Sequence, residues 1–394
     1  MNAIPSPREL HQHTLHRSAS IDTLRGLAIF FVLMNHVNMR LFLAKLPYFE
    51  GIPVQVRDAL VWNGQNGVQI FFAISGFLIT STTLSRWGTL SSIRVSDFYL
   101  LRFARIAPLL LALLCALSAL HLMGVPGFVV AESTGGLGRA LFAALTFHIN
   151  LLEAQRGYLP AAWDILWSLS VEEVFYLCFP LICCWFGKSR WLIIILGAVA
   201  AFGPIARTVL AHGNEVWREV SYLGGMDAIA LGCITALIQP RLRLSSRALL
   251  YLTAVGAAAM ILILGFSADS KVLQRSGLDM SVLAFGTCLV IMAAAHSRRR
   301  SLSALRPLRW LGRRSYEIYL THMFVVMGLW RLYVAKSTPG VGVAVLFIAV
   351  ILLSGFLGEI VAYYFSEPMN RYLRTRWGHG EKKLGSVIAD PTGI

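Results

Sequence analysis

Residues 24–43, LRGLAIFFVLMNHVNMRLFL, decide how the chain is to be read. As a helix, a run of this length reaches about 30 Å, the thickness of a bilayer's hydrocarbon core. It is too long for the apolar part of a secretory signal and no small-residue cleavage site follows it, so it is expected to remain as a membrane span. From Arg25 to His36 is eleven residues, or three helical turns plus about 20° and about 16 Å of rise. Both side chains therefore share one face, and Asp22, three residues before Arg25, joins it and can orient the guanidinium. An imidazole suits proton transfer near neutral pH. It can equally serve as a packing hydrogen bond to a neighbouring helix, and the spacing alone leaves both readings open.

The same texture continues outward from this stretch. Of the 394 residues, 56% are hydrophobic and 14% charged, and the mean hydropathy is +0.64. Those values exclude both an ordinary water-soluble globule and a disordered chain. Further apolar runs lie near 67–84, 106–123, 167–186, 191–211, 222–238, 248–266, 279–296, 315–334 and 341–365, with a weaker one at 137–152. The net charge of +15 would suggest a nucleic-acid partner in a soluble protein. Here the basic residues fall between apolar runs, so the expected partner is the lipid bilayer and no nucleic acid.

Loop charge decides whether 137–152 crosses. If it does not, one side of the membrane collects 23 Lys and Arg, including the cluster from Arg298 to Arg314, and the other side eight. If it did, every later loop would change sides and that cluster would face outward, against the positive-inside rule. The expectation is an all-α integral membrane protein of ten spans with both termini cytoplasmic, in a cell inner or plasma membrane. Residues 137–152 are then a re-entrant or interfacial element. Residues 1–20 form a cytoplasmic segment, 21–377 the membrane domain and 378–394 a disordered tail. The six cysteines all sit in apolar stretches without metal-ligand spacing, so no metal site is expected. Phosphate-loop, zinc-protease and nucleophile-elbow motifs are absent from the sequence.

Ionisable residues within spans are costly and are functional candidates by default. In FYLLRFARIAP (98–108), Arg102 and Arg105 project from one helical side and can grip phosphate oxygens, or simply anchor the helix at the interface. In WSLSVEEVFY (167–176), Glu172 and Glu173 diverge by 100°, so one of them points into the bundle near the depth of His36. There it can hold the His tautomer, receive a proton from an attacking hydroxyl, or act as a structural partner. Asp227, Glu317 and Glu359 are further intramembrane carboxylates. Tyr316, Tyr319 and His322 form a stripe that is either a pocket lining or a packing seam. Glu367, beside Pro368 where a helix end is expected, is a cap or an arginine's ion-pair partner.

Taken in order, IDTLRGLAIFFVLMNHV, GVQIFFAISGFLIT, FYLLRFARIAP, WSLSVEEVFY, RSYEIYLTH and the terminal FSEP resemble the acyltransferase 3 family of integral membrane acyltransferases. The resemblance runs over residues 21–372. It implies ten core spans and transfer of an acyl group, acetyl by default, from cytoplasmic acyl-coenzyme A to a hydroxyl of an extracytoplasmic carbohydrate such as O-antigen or exopolysaccharide. His36 would be the catalytic base, Arg25 its partner, Arg102 and Arg105 the binders of coenzyme phosphates, and Glu172 the glutamate of the SVE motif. Asp227, a further candidate, lies in GGMDAIALGC, where Gly225 stands in place of the basic residue expected in many relatives. Some relatives carry a fused SGNH-type domain after the last span, for which this chain ends too soon, which leaves direct transfer by the membrane domain or hand-off to a separate periplasmic transferase. The competing reading is a proton-coupled exporter of a small molecule that uses the same buried charges.

Overall fold

The computed structural model describes residues 19–46, 48, 51–266, 271–297, 302–336 and 341–377. The expected N-terminal segment, apart from Ala19 and Ser20, and the expected tail at 378–394 lie outside the described residues, as do Arg298, Arg299 and Arg300 of the basic cluster. Among the described residues every regular element is helical, and ten helices are long and apolar enough to cross a membrane. They are α1 (Ala19–Leu43), α2 (Gly64–Trp87), α3 (Val95–Leu122), α4 (Ala161–Phe186), α5 (Trp191–Thr208), α6 (Glu215–Arg241), α7 (Ser246–Phe266), α8 (Leu278–His296), α9 (Ser315–Ala335) and α10 (Gly342–Trp377).

The weak run forms two short helices, Gly136–Leu145 and Ile149–Arg156. Ten residues of helix reach only about 15 Å, half of a hydrocarbon core, so this element does not cross and the number of spans stays at ten. Its small residues Ala140, Ala143 and Ala144 are buried, while Phe142 and Leu145 face outward.

The exterior of the bundle is apolar. Leu250, Tyr251, Val255, Ile261 and Leu262 of α7 are exposed, as are Leu122, Trp185 and Tyr364 elsewhere. A surface of this kind would associate in water and is the ordinary boundary in lipid, where helices satisfy their own backbone groups. The chain is thus an all-helical multi-pass membrane protein.

Inside, α1 packs against α2, α9, α10 and the short helix Arg306–Arg313, while α6 lies between α2 and α5 and α7 pairs with α8 at the edge. The crossing of α1 with Arg306–Arg313 brings backbone onto backbone. A Cβ on Gly26 would stand 1.8 Å from the Leu308 carbonyl oxygen, and one on Gly312 would stand 1.8 Å from that of Asp22. Glycine is required at both positions because the obstructing atoms are main chain and cannot rotate away. This contact sets the depth and rotation of α1, and so of Arg25 and His36.

The last span departs from expectation at Pro368. Instead of ending there, the helix opens into a π turn over Ala362–Ser366 and resumes as Glu367–Trp377. The wider turn relieves the clash that a proline ring makes with the carbonyl four residues earlier, so the chain continues toward the start of α3.

Gly26→Val should lower the stability of the detergent-solubilised protein by more than about 3 kcal/mol, since overpacking against main chain has no cheap relaxation. Gly197→Ala, on α5 with nothing within 4 Å of the added Cβ, should leave the unfolding temperature unchanged or slightly raised. Thermal unfolding followed by size-exclusion chromatography checks both.

Candidate active site

A cavity of about 340 Å³ occupies the end of the bundle where α1, α3 and α9 begin and α2 and α10 finish. Arg25, Arg102 and Arg105 line it together, the last two from one side of α3 as their spacing predicts, and Arg86 and Arg374 join them. Those last two read in the sequence only as loop charge. Arg25 is held by its Nε, which donates to Ser315 Oγ at 3.0 Å. The Arg102 guanidinium lies 4.1 Å from the ring centroid of Tyr176, a cation–π contact that leaves its edge free to meet an anion. Tyr176 is four residues after Glu172, on the same face of α4. Asp22 is buried at the crossing with Arg306–Arg313 and does not line the cavity.

Of the two adjacent glutamates, Glu172 lines the cavity, with Ser75 Oγ donating to its Oε1 at 2.6 Å. Glu173 turns into the protein interior. The structure does not, however, bring Glu172 to His36. Its charged neighbours are Arg102, Arg105 and Arg25. Equal depth along two helices says nothing about their mutual rotation, and a carboxylate in a low-dielectric layer gains most beside cations.

His36 stands beyond the cavity, next to a different residue. The inner wall contains Tyr319, whose hydroxyl lies 2.7 Å from Ser168 Oγ and donates to the Ile165 carbonyl at 3.0 Å. The Tyr319 ring lies 5.9 Å from that of His322, and His322 lies 4.9 Å from His36, centroid to centroid. The stripe on α9 is thus pocket lining at Tyr316 and Tyr319 and interior contact at His322. Arginines, a carboxylate and then two imidazoles follow one another from the bundle end toward its middle.

The family model for the acyltransferase domain, acyltransferase 3, matches residues 18–363. The chain belongs to the acyltransferase 3 family. It is 25% identical over 366 residues to the O-acetyltransferase OatA of Staphylococcus aureus (strain NCTC 8325 / PS 47), covering 89% of this chain and 57% of that protein. It is 28% identical over 337 residues to the peptidoglycan O-acetyltransferase OatA of Listeria monocytogenes serovar 1/2a, covering 78% of this chain and 49% of that one. The chain spans about half the length of the curated relatives it matches. No solved structure matches it.

Two of the carboxylates singled out in this acyltransferase 3 chain stand in ion pairs. Asp227 is fully buried on α6 and pairs with Arg207 of α5 at 2.9 Å. It also accepts from Gln69 of α2 at 2.8 Å and Ser281 of α8 at 2.6 Å, while Arg207 donates to the Gly277 carbonyl at 3.0 Å. The pair ties four spans together and lies outside the cavity lining. Glu367 forms an ion pair with Arg314, which also holds Glu359 at 2.8 Å. This is the partner role open to Glu367 in the sequence, without a helix end.

On the other side of His36 from the cavity, Arg40 interacts with Asp164, whose carboxyl neighbours that of Glu153. Burial, and then Asp164, push the Glu153 carboxyl well above the usual carboxylate range. The Leu159 amide donates to its Oε1 at 3.1 Å. A carboxyl whose value is higher in the folded than in the unfolded chain stabilises the fold while protonated, and that contribution is lost as pH rises through the folded value.

Asp227→Ala should cost about 3–5 kcal/mol, because it leaves Arg207 buried and unpaired. Glu172→Gln keeps an acceptor for Ser75 and should unfold as wild type does. Glu153→Gln should flatten the loss of stability on the alkaline side and change little at acid pH. Unfolding temperatures of the three variants across a pH series test these expectations.

Proposed function

We propose that the chain is a membrane O-acyltransferase. Its donor would be an acyl-coenzyme A entering at the arginine-rich end, and its acceptor a hydroxyl of a carbohydrate at the opposite face. The reading is carried by one observation. A single cavity gathers Arg25, Arg102, Arg105 and Glu172, and its inner wall leads through Tyr319 and His322 to His36. Acetyl is the first choice of acyl group and a peptidoglycan-like glycan the first choice of acceptor, given the names of the relatives. The excess of basic residues in the loops of the arginine-rich end supports a cytoplasmic position for it, and with it an inner or plasma membrane location.

Coenzyme A carries a diphosphate and a further phosphate, which the planar guanidinium forks of Arg102 and Arg105 match in charge and geometry. The Tyr176 ring keeps Arg102 extended toward the cavity. The distance from Arg25 to His36, about 16 Å of helix rise, is of the order of a pantetheine arm, so phosphates held among the arginines deliver the thioester near the imidazoles. Tyr319 stands on that path and has to turn aside for the acyl group to pass. The acceptor oxygen then attacks the thioester carbonyl carbon while His36 takes its proton. The carbon–sulfur bond breaks, and the departing thiolate recovers that proton from the imidazolium.

The test uses purified protein in nanodiscs with acetyl-coenzyme A. Arg102→Ala should weaken binding, measured by calorimetry, at least about tenfold, the loss of one charged contact. His36→Ala should keep binding and lose slow thioester hydrolysis by on the order of a hundredfold. A well-folded wild type that neither binds nor consumes the thioester, but moves solute with a proton gradient, would replace this reading with the exporter.

A further inference from the structure

We propose that His322 is the positioning partner of His36. Its Nε2 accepts a hydrogen bond from one ring nitrogen of His36 and leaves the other nitrogen free to act as base. This rests on the reading of His36 as the proton acceptor.

The tautomer of His322 follows from its surroundings. Its Nδ1 lies 2.7 Å from the Tyr319 carbonyl oxygen and 3.2 Å from that of Ile318. Carbonyl oxygens only accept, so Nδ1 carries the hydrogen and donates to them, and in the neutral ring Nε2 is then an acceptor. That Nε2 is buried and has no hydrogen-bond partner in the structure, in a side chain with no exposed surface. Buried polar atoms are rarely left in this state without a use.

The His322 ring has two aromatic neighbours that carry polar atoms. With Nδ1 turned back onto the backbone of α9, Nε2 sits at the far edge of the ring, away from its own helix. Tyr319, the aromatic neighbour on the cavity side, already donates its hydroxyl hydrogen to the Ile165 carbonyl. His36 is the other neighbour, 4.9 Å away between centroids with the rings tilted by 49°. An N–H···N bond of about 2.9 Å between two imidazole edges places their centroids about 5 Å apart, so a turn of the His36 ring is enough to close the bond at the present separation of the two helices.

The arrangement repeats the logic by which a third group fixes the tautomer of a catalytic imidazole, here with a neutral acceptor in place of a carboxylate. With its hydrogen on the nitrogen facing His322, His36 presents an unprotonated nitrogen on its other side. When that nitrogen takes the acceptor's proton, the bond to His322 strengthens as charge develops on the donor. No bond to carbon is made or broken at His322. The spacing of SYEIYLTH explains why one helix can do this. Ser315 holds Arg25, Tyr319 closes the cavity, and His322, one further turn along, meets His36.

Two replacements separate positioning from packing. His322→Phe keeps a ring and removes the acceptor. It should retain folding and KM for acetyl-coenzyme A and lower kcat for thioester turnover by on the order of a hundredfold. His322→Gln, whose amide oxygen reaches the place of Nε2, should recover at least about tenfold of that loss. Nitrogen NMR of histidine-labelled wild type in nanodiscs should show His322 as the Nδ1–H tautomer, with an Nε2 signal that shifts in His36→Ala. Wild-type kcat in His322→Phe overturns the proposal, as does a Gln variant no better than Phe, or an Nε2–H tautomer. If the Phe variant does not fold, the tautomer and the Gln variant decide. Loss of turnover in His36→Ala beside a fully active His322→Phe removes only this inference, whereas a wild type with no thioester turnover removes the functional reading itself.

Discussion

Hydrocarbon offers a charge neither water nor counter-ion, so each ionised side chain placed at membrane depth has to find its partner inside the bundle or face a wet cavity. The described spans meet this requirement in two ways. Arg207 and Asp227 neutralise each other, with Ser281, Gln69 and the Gly277 carbonyl taking up the remaining hydrogen-bonding capacity. Arg102, Arg105 and Glu172 instead line a cavity. A closed ion-pair network has no room for a ligand. A cavity lined by more guanidinium than carboxylate attracts an anion, and this difference distinguishes residues that look alike in the sequence.

The site is then a property of two helices running in the same direction. α1 supplies Arg25 and His36 from one face, and α9 supplies Ser315 and His322 to meet them. Rotation of either helix by one residue, 100°, would separate both contacts at once. The backbone crossing at Gly26 and Gly312 prevents that rotation for α1, because main-chain contacts do not tolerate the sliding that side chains allow. The short helix Arg306–Arg313, outside the set of ten spans, therefore matters to the geometry although it does not line the arginine-rich cavity.

Much of this was legible in the sequence because it depends on periodicity and loop charge. The ten spans, the failure of 137–152 to cross, and the shared face of Arg102 and Arg105 follow from length, basic-residue asymmetry and 3.6-residue spacing. Helix arithmetic gives depth along an axis but not rotation about it, and for that reason Glu172 was expected near His36 while it lies among the arginines. The same gap hid the His36–His322 contact, since neither residue carries a sign of the other in its own segment. Pro368 signalled a helix end by its usual rule, and the π turn before it is a tertiary accommodation with no local cue. Asp227 looked functional because a carboxylate within a span is rare. What its own segment did not show is its ion-pair partner Arg207, twenty residues away on the preceding helix.

The distance between the arginines and the imidazole pair also bears on the chemistry. Two unit charges 4 Å apart at an effective dielectric of about 20 interact by about 4 kcal/mol, whereas at about 16 Å the figure is about 1 kcal/mol. A base set directly among guanidinium groups strong enough to hold phosphates would meet that larger repulsion each time it took up a proton. Placing His36 beyond Tyr319 keeps it apart from the arginines of the cavity, and its other cationic neighbour, Arg40, one turn along α1, is offset by Asp164, so the conflict between holding an anion and accepting a proton is relaxed. A substrate with its charge and its reactive bond at opposite ends of a long flexible arm fits such a division. A compact anion reacting at its own phosphate would need the two zones superimposed.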